Sequence, residues 1–104
     1  MTDPIFHILH RRDLVWDADE HYRPPSLATE GFIHASYRDR VAESARLYFP
    51  ADADLVVLAI DPTKLTSRVE IADTPRGPMP HIHGPIPRSA VVAVHSSISS
   101  EALF

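Results

Sequence analysis

The fold is decided by the stretch Asp54-Leu55-Val56-Val57-Leu58-Ala59-Ile60-Asp61, in which six apolar residues stand between two aspartates. A short, continuous run of aliphatic and β-branched residues is typical of a strand that is buried on both faces. Pro62 follows at once and ends the strand, because proline has no backbone N–H to donate. The stretch therefore predicts a central strand around which the rest of the chain packs.

Shorter runs on both sides of this strand have the composition of further strands. They are rich in β-branched and aromatic residues and are bounded by glycine, proline or charged residues. The predicted strands cover residues 5–9, 31–36, 68–72, 81–83 and 90–95. Residues 73–80 contain three prolines and Gly77, so they predict an irregular loop that arches over the sheet.

Three helical segments are predicted from capping residues and apolar spacing. Asp13 is the expected N-cap of a short helix over residues 14–18, which turns Val15 and Trp16 inward, and Ser26 is the expected cap of one turn over residues 26–30. Ser36 is expected to open the longest helix, residues 37–49, which Pro50 ends. The predicted inward stripe of that helix comprises Val41, Ala42, Ala45, Tyr48 and Phe49.

The composition fits one domain of ordinary globular type. The 104 residues are 44% hydrophobic and 23% charged, which supplies one core. We predict a single domain, residues 1–104, with a frayed tail from about Ser96. The order of elements predicts an α+β fold: a small mixed, mainly antiparallel sheet with one long and one or two short helices.

The charge balance and the absence of cysteine limit the chemistry. A net charge of −4 argues against a broad nucleic-acid-binding surface, and Arg38, Arg40 and Arg46 alternate with acidic residues as on a solvated helix face. The sequence has no secretory signal pattern and no apolar run of membrane-spanning length, so we expect a cytoplasmic protein without a membrane partner. Without cysteine, any site is built from nitrogen and oxygen groups.

Four of the seven histidines lie in or beside predicted strands, namely His7, His34, His81 and His83. A buried imidazole needs a hydrogen-bond partner or a ligand to offset its desolvation. Because strands hold side chains at fixed distances, these four histidines predict a shared site. His10, His21 and His95 are predicted to be structural.

The sequence bears on three kinds of site. A histidine metal site with Glu70 as an oxygen ligand is one alternative, but no second short-spaced pair joins His81-x-His83, so no metal is expected. A serine nucleophile is not favoured, because Ser26 and Ser36 have the positions of helix caps. The favoured site is a polar cleft in which histidines bind an anionic or nucleotide ligand, helped by Ser36, Tyr22 and Glu70.

Two motifs resemble a known family. They are Glu30-Gly31-Phe32-Ile33-His34-x-Ser36 and Pro80-His81-x-x-Gly84-Pro85, and with them the chain resembles the small bacterial family called domain of unknown function 952. The resemblance covers nearly the whole chain. It also includes Ile5-Phe6-His7, Trp16, Tyr22, Ser26-Leu27, the Leu55 to Asp61 strand and Glu70. At His83 the chain departs from the family pattern, where tyrosine is expected.

A more distant resemblance is to the ADP-ribosyltransferase and RNA 2′-phosphotransferase-like fold. It implies that His7 and His34 stand where such enzymes bind the nicotinamide-ribose part of NAD, and that Glu70 or His81 is the late catalytic residue. The candidate catalytic residues are therefore His7, His34, Glu70 and His81. The candidate ligand-binding residues are Trp16, Tyr22, Ser26, Ser36 and His83.

The expected function is a cleft that binds a small nucleotide-like molecule, with NAD as the candidate substrate and ADP-ribosyl or related transfer as the candidate reaction. One alternative is a noncatalytic ligand-binding or protein-interaction module. The second alternative is a histidine metal-binding protein. Fold-level analogy is the only support for the reaction, and the sequence leaves the oligomeric state open.

Overall fold

The computed structural model describes residues 3–99 and Leu103. Its strands are β1 Ile5–His10, β2 His21–Tyr22, β3 Ile33–His34, β4 Leu55–Ile60, β5 Val69–Thr74, β6 Gly77–Ile82, β7 Ile86–Pro87 and β8 Val91–His95. Its α-helices are α1 Ser26–Thr29 and α2 Val41–Tyr48. Short 3-10 turns cover Arg11–Asp13, Arg38–Arg40, Pro62–Lys64 and Arg88–Ala90. This is an α+β architecture with antiparallel sheets and few helices, as the sequence predicts.

The strand predicted at residues 54–61 is β4, and it is the middle strand of a three-stranded antiparallel sheet, β1-β4-β8. Both faces of β4 are covered, which explains its continuous apolar sequence. One face packs in a core with Leu58 and Tyr22, and the other in a second core with Val57, Val41 and Leu103. The central strand prediction is confirmed.

The remaining strands form a three-stranded sheet, β3-β6-β5, and a two-stranded ladder, β2-β7. All pairings among the described residues are antiparallel, and three separate sheets replace the single mixed sheet that the sequence predicts. Phe6 and Ser36 exchange two backbone hydrogen bonds, of 2.9 and 2.7 Å, and join the free edge of β1 to the chain that leaves β3. This junction places the histidine of β1 beside the histidine of β3.

The helix predicted over residues 14–18 is absent, which corrects the sequence analysis. The carboxylate of Asp17 accepts the backbone N–H groups of Asp19 and His21, at 2.8 and 3.0 Å, and so closes a loop where a helix was expected. Aspartate competes with the helical backbone in this way. Trp16 still packs against the core, as predicted, but Val15 is exposed.

The two serine caps are also corrected. Ser26 lies inside α1, where its carbonyl accepts the N–H of Glu30, and the residue before the helix is Pro25. The Oγ atom of Ser36 lies 3.2 Å from the Oγ atom of Ser44 and caps no helix. Without that cap the predicted long helix begins as the 3-10 turn Arg38–Arg40 and becomes α-helical only at Val41.

The inward stripe of α2 is shorter than predicted. Val41 and Ala45 are buried, whereas Tyr48 is 67% exposed at the end of the helix. The Tyr48 ring lies under the guanidinium of Arg76, with 5.5 Å between Cζ and the ring centre. The helix therefore ends over a polar region at the edge of the core.

The largest correction concerns residues 73–80, which form the end of β5, the turn and most of β6 in a β-hairpin. The backbone N–H of Ala35 donates to the carbonyl of Pro80 at 3.0 Å, so the missing N–H of this proline faces the short strand β3. Pro78 lies two residues before Pro80 on β6, so its missing N–H faces the same side of the strand. The β5 side of the ladder loses no donor, and β6 tolerates both prolines.

Leu103 is 3% exposed, and its carbonyl accepts a hydrogen bond of 3.0 Å from Nε of Arg38. The rest of the tail beyond Ser99 lies outside the described residues, so the frayed tail stays a prediction. No helix in the part of the chain that the structure describes is long and apolar enough to cross a membrane.

Candidate functional site

His7 lies on β1 between two core residues, and both of its ring nitrogens are engaged. Its Nδ1 atom is 2.7 Å from the carbonyl oxygen of His34, and its Nε2 atom is 3.0 Å from the hydroxyl of Tyr22. Because a carbonyl only accepts, Nδ1 carries the proton and donates it. In the neutral ring Nε2 then accepts the Tyr22 hydroxyl proton, which fixes one tautomer.

Burial lowers the pKa of His7 from 6.5 to about 4, and the hydrogen bond to the His34 carbonyl opposes this effect only in part. Burial also raises the pKa of Tyr22 above its usual value. The pair is therefore neutral at physiological pH. His7 joins β1, β2 and β3 through its two hydrogen bonds, one of which holds the backbone carbonyl of His34.

A cavity of about 620 Å³ opens beside this pair, between β1, the end of β3, α2 and the β5–β6 turn. Five of the predicted site residues line it: His7, His34, His81, Ser26 and Ser36. Sequence reasoning missed other lining residues that carry polar groups, namely Ser44, Tyr48, Thr74 and Arg76. Apolar side chains complete the wall, including Ile8, Phe49, Pro75 and Met79. The volume is in the range of small-molecule sites.

An aromatic cluster borders the cavity on the β3-β6-β5 sheet. The ring of Phe32 stacks on His81, with centroids 4.0 Å apart and an angle of 9° between the planes. His34 meets His81 edge-on at 5.5 Å. Desolvation lowers the pKa of His81, and the neighbouring His34 lowers it further. At neutral pH His81 is therefore an uncharged flat ring that can both donate and accept a hydrogen bond.

His34 is the most accessible imidazole of the cluster, with a side chain that is 61% exposed. Its Nε2 atom lies 3.2 Å from a carboxylate oxygen of Glu30, which directly follows α1, four residues earlier in the chain. A carboxylate that orients an imidazole is a common arrangement for proton transfer. The pair therefore places a carboxylate beside the most exposed imidazole of the cluster, and the sequence analysis did not assign Glu30 a role.

Glu70 and His83 form a separate pair beside the cluster. The Nε2 atom of His83 is 2.9 Å from the Glu70 carboxylate, which lowers the pKa of that carboxyl. Neither residue lines the cavity, although the ring of His83 lies 5.8 Å from Phe32. The structure thus places Glu70 outside the cavity that contains His7, His34 and His81.

Trp16 is a predicted site residue that lies apart from this arrangement. It packs against the core cluster that includes Tyr22, and the guanidinium of Arg88 lies 5.4 Å over its ring. It does not line the cavity. Trp16 anchors the loop before β2 in this structure.

Metal ligation was tested on the geometry of the histidines. Within residues 3–99 and Leu103, no group of three or more histidine, cysteine, aspartate or glutamate side chains is arranged to hold an ion. The imidazoles of His34 and His81 meet edge to face around the Phe32 ring, and they do not converge on a common point. The described geometry gives the metal alternative no support.

The architecture and the site define a small α+β domain with a histidine-lined cavity at a sheet edge. Residues 8–94 match the family described as protein of unknown function (DUF952), and the chain belongs to that family. This confirms the resemblance seen in the sequence motifs. No curated protein sequence matches the chain significantly.

Solved structures of one relative are similar to this chain. They are of protein CC0527 from Caulobacter crescentus, a structural genomics target. Its crystal structure has a TM-score of 0.74 and 28% identity, over 88% of this chain and 82% of that chain. Its solution NMR structure has a TM-score of 0.69 at the same identity, over 89% and 83% of the two chains. These matches support the α+β architecture and carry no information on an ADP-ribosyltransferase fold.

Proposed function

We propose that the protein binds a small nucleotide-like molecule in the cavity beside His7, His34 and His81, with NAD or ADP-ribose as candidate ligands. The observation that carries the proposal is the composition of the cavity wall. Imidazoles, hydroxyls and one guanidinium line the same 620 Å³ space as apolar side chains. Such a wall suits a ligand with a flat ring and several hydrogen-bonding groups.

Two accessible rings supply the recognition chemistry. His34 presents a polar edge that Glu30 orients, and His81 presents a ring backed by Phe32. Aromatic and imidazole faces stack on heterocycles, and this contact is worth about 1–3 kcal/mol per base where it has been measured. His7 supports the site through the His34 carbonyl and is not expected to exchange protons with a ligand.

The reaction is the less supported part of the proposal. ADP-ribosyl transfer needs a group that stabilises positive charge at the nicotinamide ribose, and Glu70 was one candidate for that role. Glu70 does not line the cavity and is paired with His83. Glu30 does not line the cavity either, but it contacts His34, which does, so it is the carboxylate next to the site. The noncatalytic ligand-binding alternative has the same cavity without turnover.

The test is a titration with NAD, ADP-ribose and AMP, followed through histidine ring signals in NMR spectra. His34 and His81 are expected to shift at millimolar ligand or below, whereas His21 and His95 should not. His34→Ala should weaken binding without unfolding the protein, because the side chain is largely exposed. His21→Ala is the matched control, since it removes a half-buried imidazole outside this cavity.

Incubation with NAD separates the two classes. Release of free nicotinamide by the wild type, lost in Glu30→Gln, would support transfer. Binding without release would support the noncatalytic module. If no nucleotide moves the His34 or His81 signals, the proposed function is wrong.

A further inference from the structure

The end of the cavity under α2 and the β5–β6 turn contains polar side chains outside the histidine cluster, among them Ser36, Ser44 and Arg76. Ser36 and Ser44 are 6% and 5% exposed, and the Arg76 side chain is 18% exposed. The turn itself positions Arg76. Thr74 donates its hydroxyl to the carbonyl of Gly77 at 2.7 Å, and Gly77 has a φ of +92° that closes the turn.

Only one of the two serine hydroxyl protons has an acceptor among the described residues. Nη2 of Arg76 donates to Oγ of Ser44 at 3.0 Å, and the two serine Oγ atoms are 3.2 Å apart. One hydroxyl proton lies between these oxygens. Among the described residues neither hydroxyl makes a further hydrogen bond, so the second proton has no acceptor. Because both serines line the cavity, this proton can be donated to an oxygen of a cavity occupant.

Arg76 brings a guanidinium group to this end of the cavity, and its carboxylate partner also pairs with a second guanidinium group. Arg76 contacts Oε1 of Glu43 through Nε and Nη2, at 3.0 and 2.6 Å, and Nη1 of Arg40 lies 3.5 Å from the same oxygen. Two guanidinium groups therefore share one carboxylate, which leaves an excess of one positive charge. Glu43 does not line the cavity, so it supplies no acceptor on that side.

We propose that Ser36, Ser44 and Arg76 form a subsite for a phosphate group, and that the ligand of the cavity is a phosphorylated molecule. This inference rests on the proposed function and names the end of the ligand that this part of the cavity holds. A phosphate oxygen accepts from a hydroxyl and a guanidinium at once, and guanidinium groups bind phosphate with particular strength. The imidazoles would then face the ring end of the ligand.

The first experiment compares adenosine with AMP by calorimetry or NMR titration. AMP is expected to bind at least about tenfold more tightly than adenosine to the wild type, because its phosphate makes charge-assisted hydrogen bonds. Arg76→Gln and Ser36→Ala should reduce this ratio, whereas His34→Ala should weaken both ligands and keep it. Arg46→Gln is the matched control, since it removes the same charge from an exposed position on α2.

A second experiment separates this inference from the proposed function. Inorganic phosphate is titrated while the backbone amides of Ser36 and Ser44 and the Nε–H of Arg76 are observed. If nucleosides and nucleotides fail to bind but phosphate moves these signals, the proposed function is wrong and the subsite stands. Acetate is the comparison anion, and it should move them less.

Three results would overturn the subsite. Phosphate and AMP both leave the signals unchanged, or acetate moves them as strongly as phosphate does, or Arg76→Gln binds AMP as well as Arg46→Gln does. The fold of each variant is checked by urea denaturation. If Arg76→Gln unfolds, Ser36→Ala, which keeps every charge, decides the outcome through the ratio of AMP to adenosine affinity.

Discussion

Acid should destabilise this protein through His7, and the size of the effect follows from its burial. The folded state lowers the pKa of His7 from 6.5 to about 4. Between pH 6.5 and about 4, His7 is therefore protonated in the unfolded chain and neutral in the folded protein. Each pKa unit corresponds to about 1.4 kcal/mol, so His7 contributes about 3 kcal/mol at pH 7. That contribution is complete above pH 6.5 and is lost as the pH falls toward 4.

The perturbation is His7→Asn, whose side-chain amide can replace Nδ1 as the donor to the His34 carbonyl but does not titrate. Urea denaturation of both proteins at intervals from pH 7.5 to 4 gives the free energy of unfolding. The wild type should lose about 3 kcal/mol more than the variant over this range. The carboxyl groups whose pKa values are lowered, such as Glu43 and Asp61, also destabilise the fold in acid, but they do so equally in both proteins.

Parallel pH curves for the two proteins would refute the reasoning, because they would mean that His7 titrates alike in the folded and unfolded states. NMR titration of the His7 ring provides an independent check. Its signals should stay those of a neutral ring with the proton on Nδ1 down to pH 5. A midpoint near 6.5 would also contradict the prediction.

Three further predictions concern stability and are measured by urea denaturation. Tyr22→Phe removes the donor to Nε2 of His7 and should cost about 1–3 kcal/mol, because a buried acceptor loses its partner; an unchanged midpoint would mean that this hydrogen bond is not formed. Gly84→Ala brings a new Cβ within 2.5 Å of Cβ of Ser67, so it should destabilise the fold, and Ser67→Gly in the same chain should restore part of the loss. Gly31→Ala should cost about 1–2 kcal/mol, since φ is +83° and no atom lies near the added methyl, so the cost comes from the backbone alone; Gly31→Asn should cost less.

Much of the central sheet could be predicted from sequence because its signals are local. The apolar run of β4 and the alternation of Ile5, His7 and Leu9 on β1 identify buried strands without reference to partners. The prediction that the strand histidines share a site depends on the same local signals, because it requires only that each histidine lies in or beside a strand. His34 and His81 lie opposite each other in the β3–β6 register, so two of those histidines are direct cross-strand neighbours.

The β5–β6 hairpin could not be predicted because its feasibility depends on a distant partner. Prolines at alternate positions normally exclude a strand, and here they are tolerated since their missing donors face the short side of the sheet. Because the sequence predicts a loop here, it does not identify Arg76 as a residue of the site. The turn places Arg76 against Glu43 of α2. The segment Pro75-Arg76-Gly77 contained the usable signal, because a proline followed by glycine two residues later is typical of a tight turn.

The order of strands in the central sheet also bears on how the chain acquires its fold. β4 pairs with β1 some fifty residues earlier, Ile5 opposite Ile60, and with β8 more than thirty residues later, Val57 opposite His95. During synthesis β4 therefore emerges from the ribosome well before its second partner exists, and it does so with apolar side chains on both faces. Long-range pairing of this kind is slow, and the partly folded intermediates are prone to aggregation. We expect the local β5–β6 hairpin to form first and the nascent chain to depend on chaperones until β8 is released.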